Sequence, residues 1–468
     1  SGSWIRRSAA RSVPHRRHGP PISPTVSDSH PGQYHRMALT IGESEAFRAL
    51  ARRLPSSLPP VRVTYLHQYF ATPSGSTGTR SYELARRLVA RGHEVTVVTS
   101  NAQLPDLADA RRVVRTSVDG IRLVVVPVAY ANEMGYRARI GAFVRFALRA
   151  SFEAARVPAD VVLASSTPLT IALPGIMARL VRRAPMVFEV RDLWPEMPIA
   201  VGALRNPVAI ALARAVEWVA YHASAHVIAL SPGMADGVAA RGIARSRISM
   251  IPNGCDRAAF DVPATAGDRI REDLGLEPGA PLIVYAGAFG AVNGVEWLAD
   301  VAAELRPLRP DARFLVVGRG AGRDALIARG RARGVLDETL LVRPPMPKRE
   351  IPALLAAATV ATSVFRPVPE MESNSANKFF DALAAGRPIA INYGGWHRTL
   401  LAEHGAGIAL PESDPAAAAA RLAELLGDEA ALARCRQGAA ALARDSFDRD
   451  QLAEQFAGVL EGVVGAVR

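Results

Sequence analysis

From Val61 onward the apolar positions fall into two alternating patterns. Short runs rich in β-branched residues occur at Val61–Leu66, Val95–Thr99, Leu123–Val126, Val161–Ala164, Met186–Val190 and Val227–Leu230, separated by longer Ala/Leu/Arg segments of helical spacing. A second series begins at Leu282–Ala286 and continues with Phe314–Val317, Leu340–Val342, Val360–Val364 and Pro388–Asn392. A strand covered by helices on both faces needs an almost unbroken apolar run, so this alternation predicts βαβ units and parallel sheets. Between the two series, Ile251–Asp256 (IPNGCD) supplies a Pro-Asn-Gly break. The economical reading is two Rossmann-like domains in tandem, 61–255 and 256–430. The Ala-rich end, from Pro415 to Arg468, reads as helices only. Residues 1–60 show no hydrophobic period and read as a disordered basic tail.

The length of 468 residues fits two cores better than one. Composition then removes several function classes. The net charge is +12, but residues 1–60 hold nine Arg against three acids, which is half of the excess. No platform of aromatic and basic residues accompanies it, so a nucleic-acid partner is not expected. Only two cysteines occur, Cys255 and Cys435, far apart in sequence. That excludes a disulfide framework and a Cys-rich zinc site, and suits a reducing cytoplasm. No His/carboxylate cluster has metal-ligand spacing, so neither a metal nor another cofactor is expected. No run of about eighteen uncharged apolar residues marks a membrane-spanning helix. Residues 136–156 do form a helical pattern with Ile140, Phe143, Val144, Ala147 and Leu148 on one side, and Arg137, Arg145, Arg149 and Arg156 along it. Such a helix can lie at an anionic membrane surface as a peripheral contact through 136–156, or be a domain helix with a solvated Arg face; both readings stay open.

Paired open sheets face each other across a cleft and bind ligands at their carboxyl edges, so the chemistry is sought in the loops after strands. The first, His67 to Arg80, carries Gly75 and Gly78 before a helix opens. Glycines there let the backbone approach a ligand closely. The loop is neither Gly-x-Gly-x-x-Gly nor a Walker loop, which counts against NAD and ATP. In Val187–Glu196 (VFEVRDLWPE) an apolar strand runs into Arg191, Asp192 and Glu196. In the second half, Gly287, Gly290 and Asn293 form a turn whose backbone N–H groups suit a diphosphate. Arg319, between Gly318 and Gly320, can meet a phosphate through two parallel N–H bonds. The fullest constellation is Glu370–Pro388, where a polar loop enters a helix at about Asn377 with Lys378 in its first turn and Asp381 three residues on. A cation at a helix N-terminus opposes the helix dipole and calls for an anion, which a diphosphate would supply.

These residues together resemble the family 4 retaining glycosyltransferases of the GT-B fold, in the branch that builds capsule, O-antigen and related polysaccharides. The resemblance runs from about Val61 to Phe456 and rests on HQYF…GSTGTRSYELARRLVARGHEVTVVTS, FEVRDLWPE, ALSPGM, IPNGCD, YAGAFG…NG and SNSANKFFDALAAGRPI, taken in order. It implies that the second domain holds a nucleotide-sugar donor, usually of UDP, and the first a sugar or lipid-linked glycan acceptor. It also implies that helices within 431–468 cross back to pack on the first domain, that no metal is needed, and that the donor's anomeric configuration is retained. Lys378 takes the place of the phosphate-binding lysine and Asp381 that of the ribose-binding carboxylate. Gly75 and Gly78 resemble the glycines near the donor phosphates. Arg191, Asp192 and Glu196 look acceptor-facing, with Asp192 among the catalytic candidates.

Two departures stand out. The usual glutamate pair is not intact: the position matching Asp381 is Ser373, with Glu372 one residue away, so which group contacts the donor sugar is left open, and Glu372 joins the catalytic candidates. The usual Lys-Gly after the second-domain turn is Asn293-Gly294, which shifts phosphate charge onto Lys378 and Arg319. Two other functions share this architecture: a nucleotide-sugar epimerase or hydrolase, and a non-catalytic sugar-nucleotide binder.

Overall fold

The computed structural model describes residues 59–128, 130 and 134–467, so all but the last two positions of the expected basic tail lie outside the described residues. The first sheet contains β1 (Arg62–Leu66), β2 (Glu94–Ser100), β3 (Val114–Val118), β4 (Ile121–Val126), β5 (Val161–Ser165), β6 (Met186–Val190), β7 (His226–Ala229) and β8 (Ile248–Met250), in the order β3-β4-β2-β1-β5-β6-β7-β8. Only the β3–β4 pair is antiparallel. The second sheet contains β9 (Leu282–Ala286), β10 (Arg313–Val317), β11 (Leu340–Arg343), β12 (Val360–Ser363), β13 (Ile389–Ile391) and β14 (Gly407–Ala409), in the order β11-β10-β9-β12-β13-β14, all parallel. Three strands escape the periodicity reading. β3 sits at a sheet edge with Arg115, Thr116 and Ser117 exposed, and β8 and β14 are three residues each, too short to show a period.

The helices that bear on the site are α1 (Arg80–Ala90), α2 (Tyr136–Ala154), α3 (Ala172–Arg182), α4 (Glu196–Ala200), α5 (Pro207–Ala223), α6 (Asn377–Ala384), α7 (Gly395–His404), α8 (Glu429–Asp445) and α9 (Arg449–Gly465). Phe146 and Ala150 of α2, Ala172 and Ala178 of α3 and Tyr221 of α5 pack with Val162, Ala164, Met186 and Phe188 on one face of the first sheet. Leu84 and Leu88 of α1 and Leu452, Phe456 and Leu460 of α9 pack on the other face, against Val63, Val97 and Leu163. The return to the first domain therefore falls later than residue 431. α8 keeps Ala439, Leu442 and Ala443 in the second domain's core with Phe379 and Phe380, and only α9 crosses. Helix α2 also departs from expectation. Phe143 and Ala147 are buried, and the outward stripe is Ile140, Val144, Leu148 and Phe152.

Among the described residues two chain crossings join the domains, and both are pinned by buried arginines. Arg80, in the first turn of α1, turns inward and is 2% exposed. Its Nε donates to Glu189 Oε1 at 2.9 Å, and Nη1 and Nη2 donate to the carbonyls of Pro252 and Ile251 at 2.5 and 2.8 Å. Ser165 Oγ donates to the other Glu189 oxygen at 2.6 Å. Arg449 Nη2 donates to the Gly254 carbonyl. The Cys255 N–H donates to Phe447 at 2.7 Å and the Arg449 N–H to Cys255 at 3.0 Å, so the two crossings run side by side. Burial alone would raise the Glu189 carboxyl, but Arg80, Arg191 and Ser165 more than offset it and hold it below the usual carboxylate range.

Removing one member of a buried pair leaves the other charge uncompensated, so Arg80→Met is expected to destabilise the protein by about 3–5 kcal/mol in urea unfolding. Because the Glu189 pKa is depressed on folding, the pair's contribution is present above the ordinary carboxylate range and lost as pH falls through the depressed value. The gap between wild type and variant should therefore narrow in acid. A gap that is small at neutral pH, or unchanged by acid, would count against this role.

Candidate active site

In each sheet the strand order reverses beside the domain's first strand, at β1/β5 and at β9/β12. The loops leaving these strands form the crevice where open α/β sheets hold ligands. The loop after β1 reaches the second domain directly: the Lys348 N–H donates to the Gly75 carbonyl at 2.8 Å and the Arg349 N–H to Pro73 at 3.2 Å. Farther in, a side chain at Gly78 would place its Cβ 2.5 Å from Asn377 Nδ2, so the glycine permits this approach.

Between these contacts lies a cavity of about 280 Å³. Gly78, Gly287, Arg319, Asn377, Lys378 and Asp381 line it, joined by Lys348. Lys378 comes from the first turn of α6. Its ammonium stands over the rings of Tyr285 and Phe365, 5.0 and 4.5 Å from their centroids. Burial lowers its pKa to about 7. Among the described residues it forms no ion pair. Asp381, one turn further along α6, is instead paired with Lys348. The carboxylate assigned to ribose is thus already engaged, by a lysine that sequence reasoning missed. Lys348 lies in the loop after β11, and nothing in that loop's pattern points to a partner on α6.

The Gly-rich turn after β9 differs from expectation. The Gly287 N–H donates to Val317 at 3.0 Å and the Phe289 N–H to Arg319 at 2.8 Å. The Gly290 N–H donates to Asn293 Oδ1 at 3.1 Å. Among the described residues, only the Ala288 N–H of residues 287–290 lacks a protein acceptor. Asn293, buried, closes the turn rather than facing the cavity, and Gly290 stays with it. Arg319 is exposed at the cavity rim and makes no ion pair among the described residues. Glu372 is also displaced. It is exposed, with its carboxylate against Gly394 at the start of α7, and it lines neither cavity described here. Gly75 serves the interdomain hydrogen bond and lies outside the 280 Å³ cavity.

A second cavity, of about 350 Å³, opens in the first domain and shares Thr77, Gly78 and Asn377 with the first. Arg191 and Asp192 line it at the end of β6. Arg191 Nη1 lies 2.9 Å from His67 Nε2, and His67 Nδ1 lies 2.8 Å from Ser81 Oγ. Burial, with Arg191 adding to it, holds His67 well below its ordinary pKa. The ring is therefore neutral, with Nε2 accepting from Arg191 and the Nδ1 proton directed to Ser81. His67 is the second residue the sequence reading did not single out, although its place at the end of β1 is the signal that finds it. Thr167, held at φ +87°, donates its hydroxyl to Asp192 Oδ2 at 2.9 Å, a strained backbone for a β-branched residue. Burial raises the Asp192 carboxyl, partly countered by Thr167 and Arg191. Glu196 takes no part here: it opens α4 and pairs with Arg241, which also holds Glu217 at 3.0 Å.

Comparisons with known proteins agree with this architecture. The glycosyl transferase 4-like domain profile matches residues 75–254, and the glycosyl transferases group 1 profile matches residues 280–428. A D-inositol 3-phosphate glycosyltransferase of Xylanimonas cellulosilytica is 28% identical over 400 residues, covering 82% of this chain and 91% of that protein. Sucrose-phosphate synthase from Thermosynechococcus elongatus superposes with a TM-score of 0.67 at 16% identity, over 85% of this chain and 97% of that one. HepE of Anabaena, solved in complex with UDP and glucose, gives 0.62 at 17% identity, over 85% of this chain and 98% of that one. With one profile on each of the two sheet domains and a relative matched along most of its length, the chain belongs to the family 4 glycosyltransferases of the GT-B fold.

Proposed function

We propose that this chain transfers a sugar, with retention of anomeric configuration, from a nucleoside-diphosphate donor of the UDP type to an acceptor hydroxyl. The observation that carries this reading is Lys378: a desolvated ammonium that forms no ion pair among the described residues, at a helix N-terminus, in a cavity between two sheet edges. Such a group is poised for a phosphate. Lys378 and Arg319, with the Ala288 N–H, stabilise charge growing on the leaving diphosphate as the glycosidic bond breaks. This leaves the phosphate's positive surroundings to side chains, and the reaction is proposed to need no metal. The acceptor lies in the first-domain cavity against Arg191 and Asp192, and its hydroxyl meets the donor where the two cavities join at Gly78 and Asn377. The leaving phosphate oxygen takes the acceptor's proton. The inositol-phosphate enzyme among the relatives supports a polyhydroxylated ring as acceptor. A polysaccharide or glycolipid acceptor is the second reading, favoured by the apolar outer stripe on α2.

Binding to the folded state alone raises a melting midpoint, so a thermal-shift series with UDP, GDP, ADP, TDP and CMP, with and without EDTA, tests the donor. A shift with UDP that EDTA leaves intact is expected, and silence with every nucleotide would remove the donor reading. Lys378→Met is expected to lower kcat by roughly 10²–10³ with a smaller loss of donor affinity, because its contact tightens in the transition state. Equal losses in steady-state kinetics and binding, or none, would take it out of the mechanism. The pH dependence follows from the same residue. The ammonium is present below its pKa of about 7 and lost above it, so UDP affinity in calorimetry should fall on the order of tenfold between pH 7 and 8.5, with proton uptake on binding at the higher pH. Lys378→Arg should bind without that dependence.

A further inference from the structure

Helices α2, α3 and α5 lie side by side over one face of the first sheet, so the residues they turn away from it share one surface. That surface is unusually apolar. Of the fifteen large hydrophobic side chains exposed among the described residues, twelve are on these three helices. They are Ile140, Val144, Leu148 and Phe152 on α2, Leu173, Met177, Leu180 and Val181 on α3, and Val208, Leu212, Trp218 and Val219 on α5. Leu148 is 66% exposed, Leu212 65% and Val208 75%, which is far from packed against the body of the protein. Isolated apolar residues on a surface mean little, but a contiguous patch marks a site of association.

The charges on the same helices are all of one sign on the outside. Their only acids are Glu153 and Glu217, both buried; Glu153 pairs with Arg115 and, at 3.7 Å, with Arg156, and Glu217 pairs with Arg241. Exposed Arg145, Arg149, Arg182 and Arg214 form no ion pair among the described residues, and neither does Arg183 just beyond α3. The Arg156 guanidinium lies 3.5 Å from the centroid of the Phe152 ring, which places a cation directly on the apolar stripe. A protein partner buried on such a face would have to leave these guanidinium groups unpaired or bring its own acids. A lipid surface with anionic headgroups takes both the apolar side chains and the fringe of arginines.

We propose that the outer face of α2, α3 and α5 docks on an anionic lipid bilayer, with the apolar residues entering the headgroup boundary and the arginines meeting lipid phosphates. Each of these helices begins at the cleft side of the sheet, after β4, β5 and β6, so docking holds the second cavity's rim close to the lipid surface. The proposal goes beyond the donor chemistry and stands without it.

The test is co-sedimentation of the full chain with phosphatidylcholine vesicles, alone or mixed with phosphatidylglycerol. Binding is expected with the mixed vesicles and should weaken as salt is raised. The combined substitutions Leu148→Glu, Leu180→Glu and Leu212→Glu should lower the bound fraction about tenfold or more, while the melting midpoint and nucleotide binding are unchanged. Arg145→Gln, Arg182→Gln and Arg214→Gln together should abolish the preference for phosphatidylglycerol. Three results would overturn the proposal: no binding to either vesicle, binding that the leucine substitutions leave intact (which assigns it to the basic residues 1–60), or a dimer in sedimentation velocity that those substitutions dissolve.

Discussion

The site exists only because two sheets are held edge to edge, and the buried Arg80–Glu189 pair fixes the linker between them. The guanidinium spends its donors on one carboxylate and two carbonyls of the linker, at Ile251 and Pro252. A planar group with donors in a rigid fork constrains direction as well as distance. The linker therefore leaves the first sheet at a set angle, and Arg449 holds the returning strand of chain against Gly254 beside it. An apolar cluster at the same place would exclude water equally well but would not fix orientation. Here the polar pair specifies geometry, and the cleft depends on it.

Within the cleft the electrostatics are deliberately unbalanced. Several cations of the second domain are matched: Lys348 with Asp381, Arg366 with Glu296, Arg329 with Asp300. Lys378, like the exposed Arg319 at the same cavity, forms no ion pair among the described residues. It is desolvated against Tyr285 and Phe365, which stabilise its charge only weakly, and the helix beneath it presents its positive end. Folding tolerates this cost because the remainder of α6 is anchored by Phe379 and Phe380 in the core. The imbalance is relieved when an anion enters, which couples ligand binding to the state of one side chain. The neutral His67, locked between Ser81 and Arg191, has the opposite character: it carries no charge of its own and sets the orientation of a guanidinium at the neighbouring cavity.

The sequence by itself determined the tandem α/β architecture, the break near residue 255 and the loops that face the cleft. Those follow from local constraints: apolar runs long enough to be strands, helical spacing between them, and Gly or Pro where the chain turns. It also placed Lys378, Asn377, Gly78, Gly287, Arg319, Arg191 and Asp192 at the cavities, since each sits in the loop that follows a strand or at the start of the next helix. What it did not determine is how polar groups pair. Asp381 could not be assigned to Lys348, Glu196 to Arg241 or Arg80 to Glu189, because partners tens or hundreds of residues apart leave no periodic trace. Asn293 went astray through a local turn, in which its Oδ1 accepts from the Gly290 N–H, and Glu372 because the fold sets its carboxylate beside Gly394 instead of at a cavity. The outer face of the three helices was half legible. The pattern on 136–156 gave an amphipathic helix, but which side meets the sheet was decided by packing, which buries Phe143 and Ala147 and leaves Leu148 and Phe152 outward. Local propensity fixes elements, whereas long-range contact decides which charge stays unpaired and which apolar side chain stays in water.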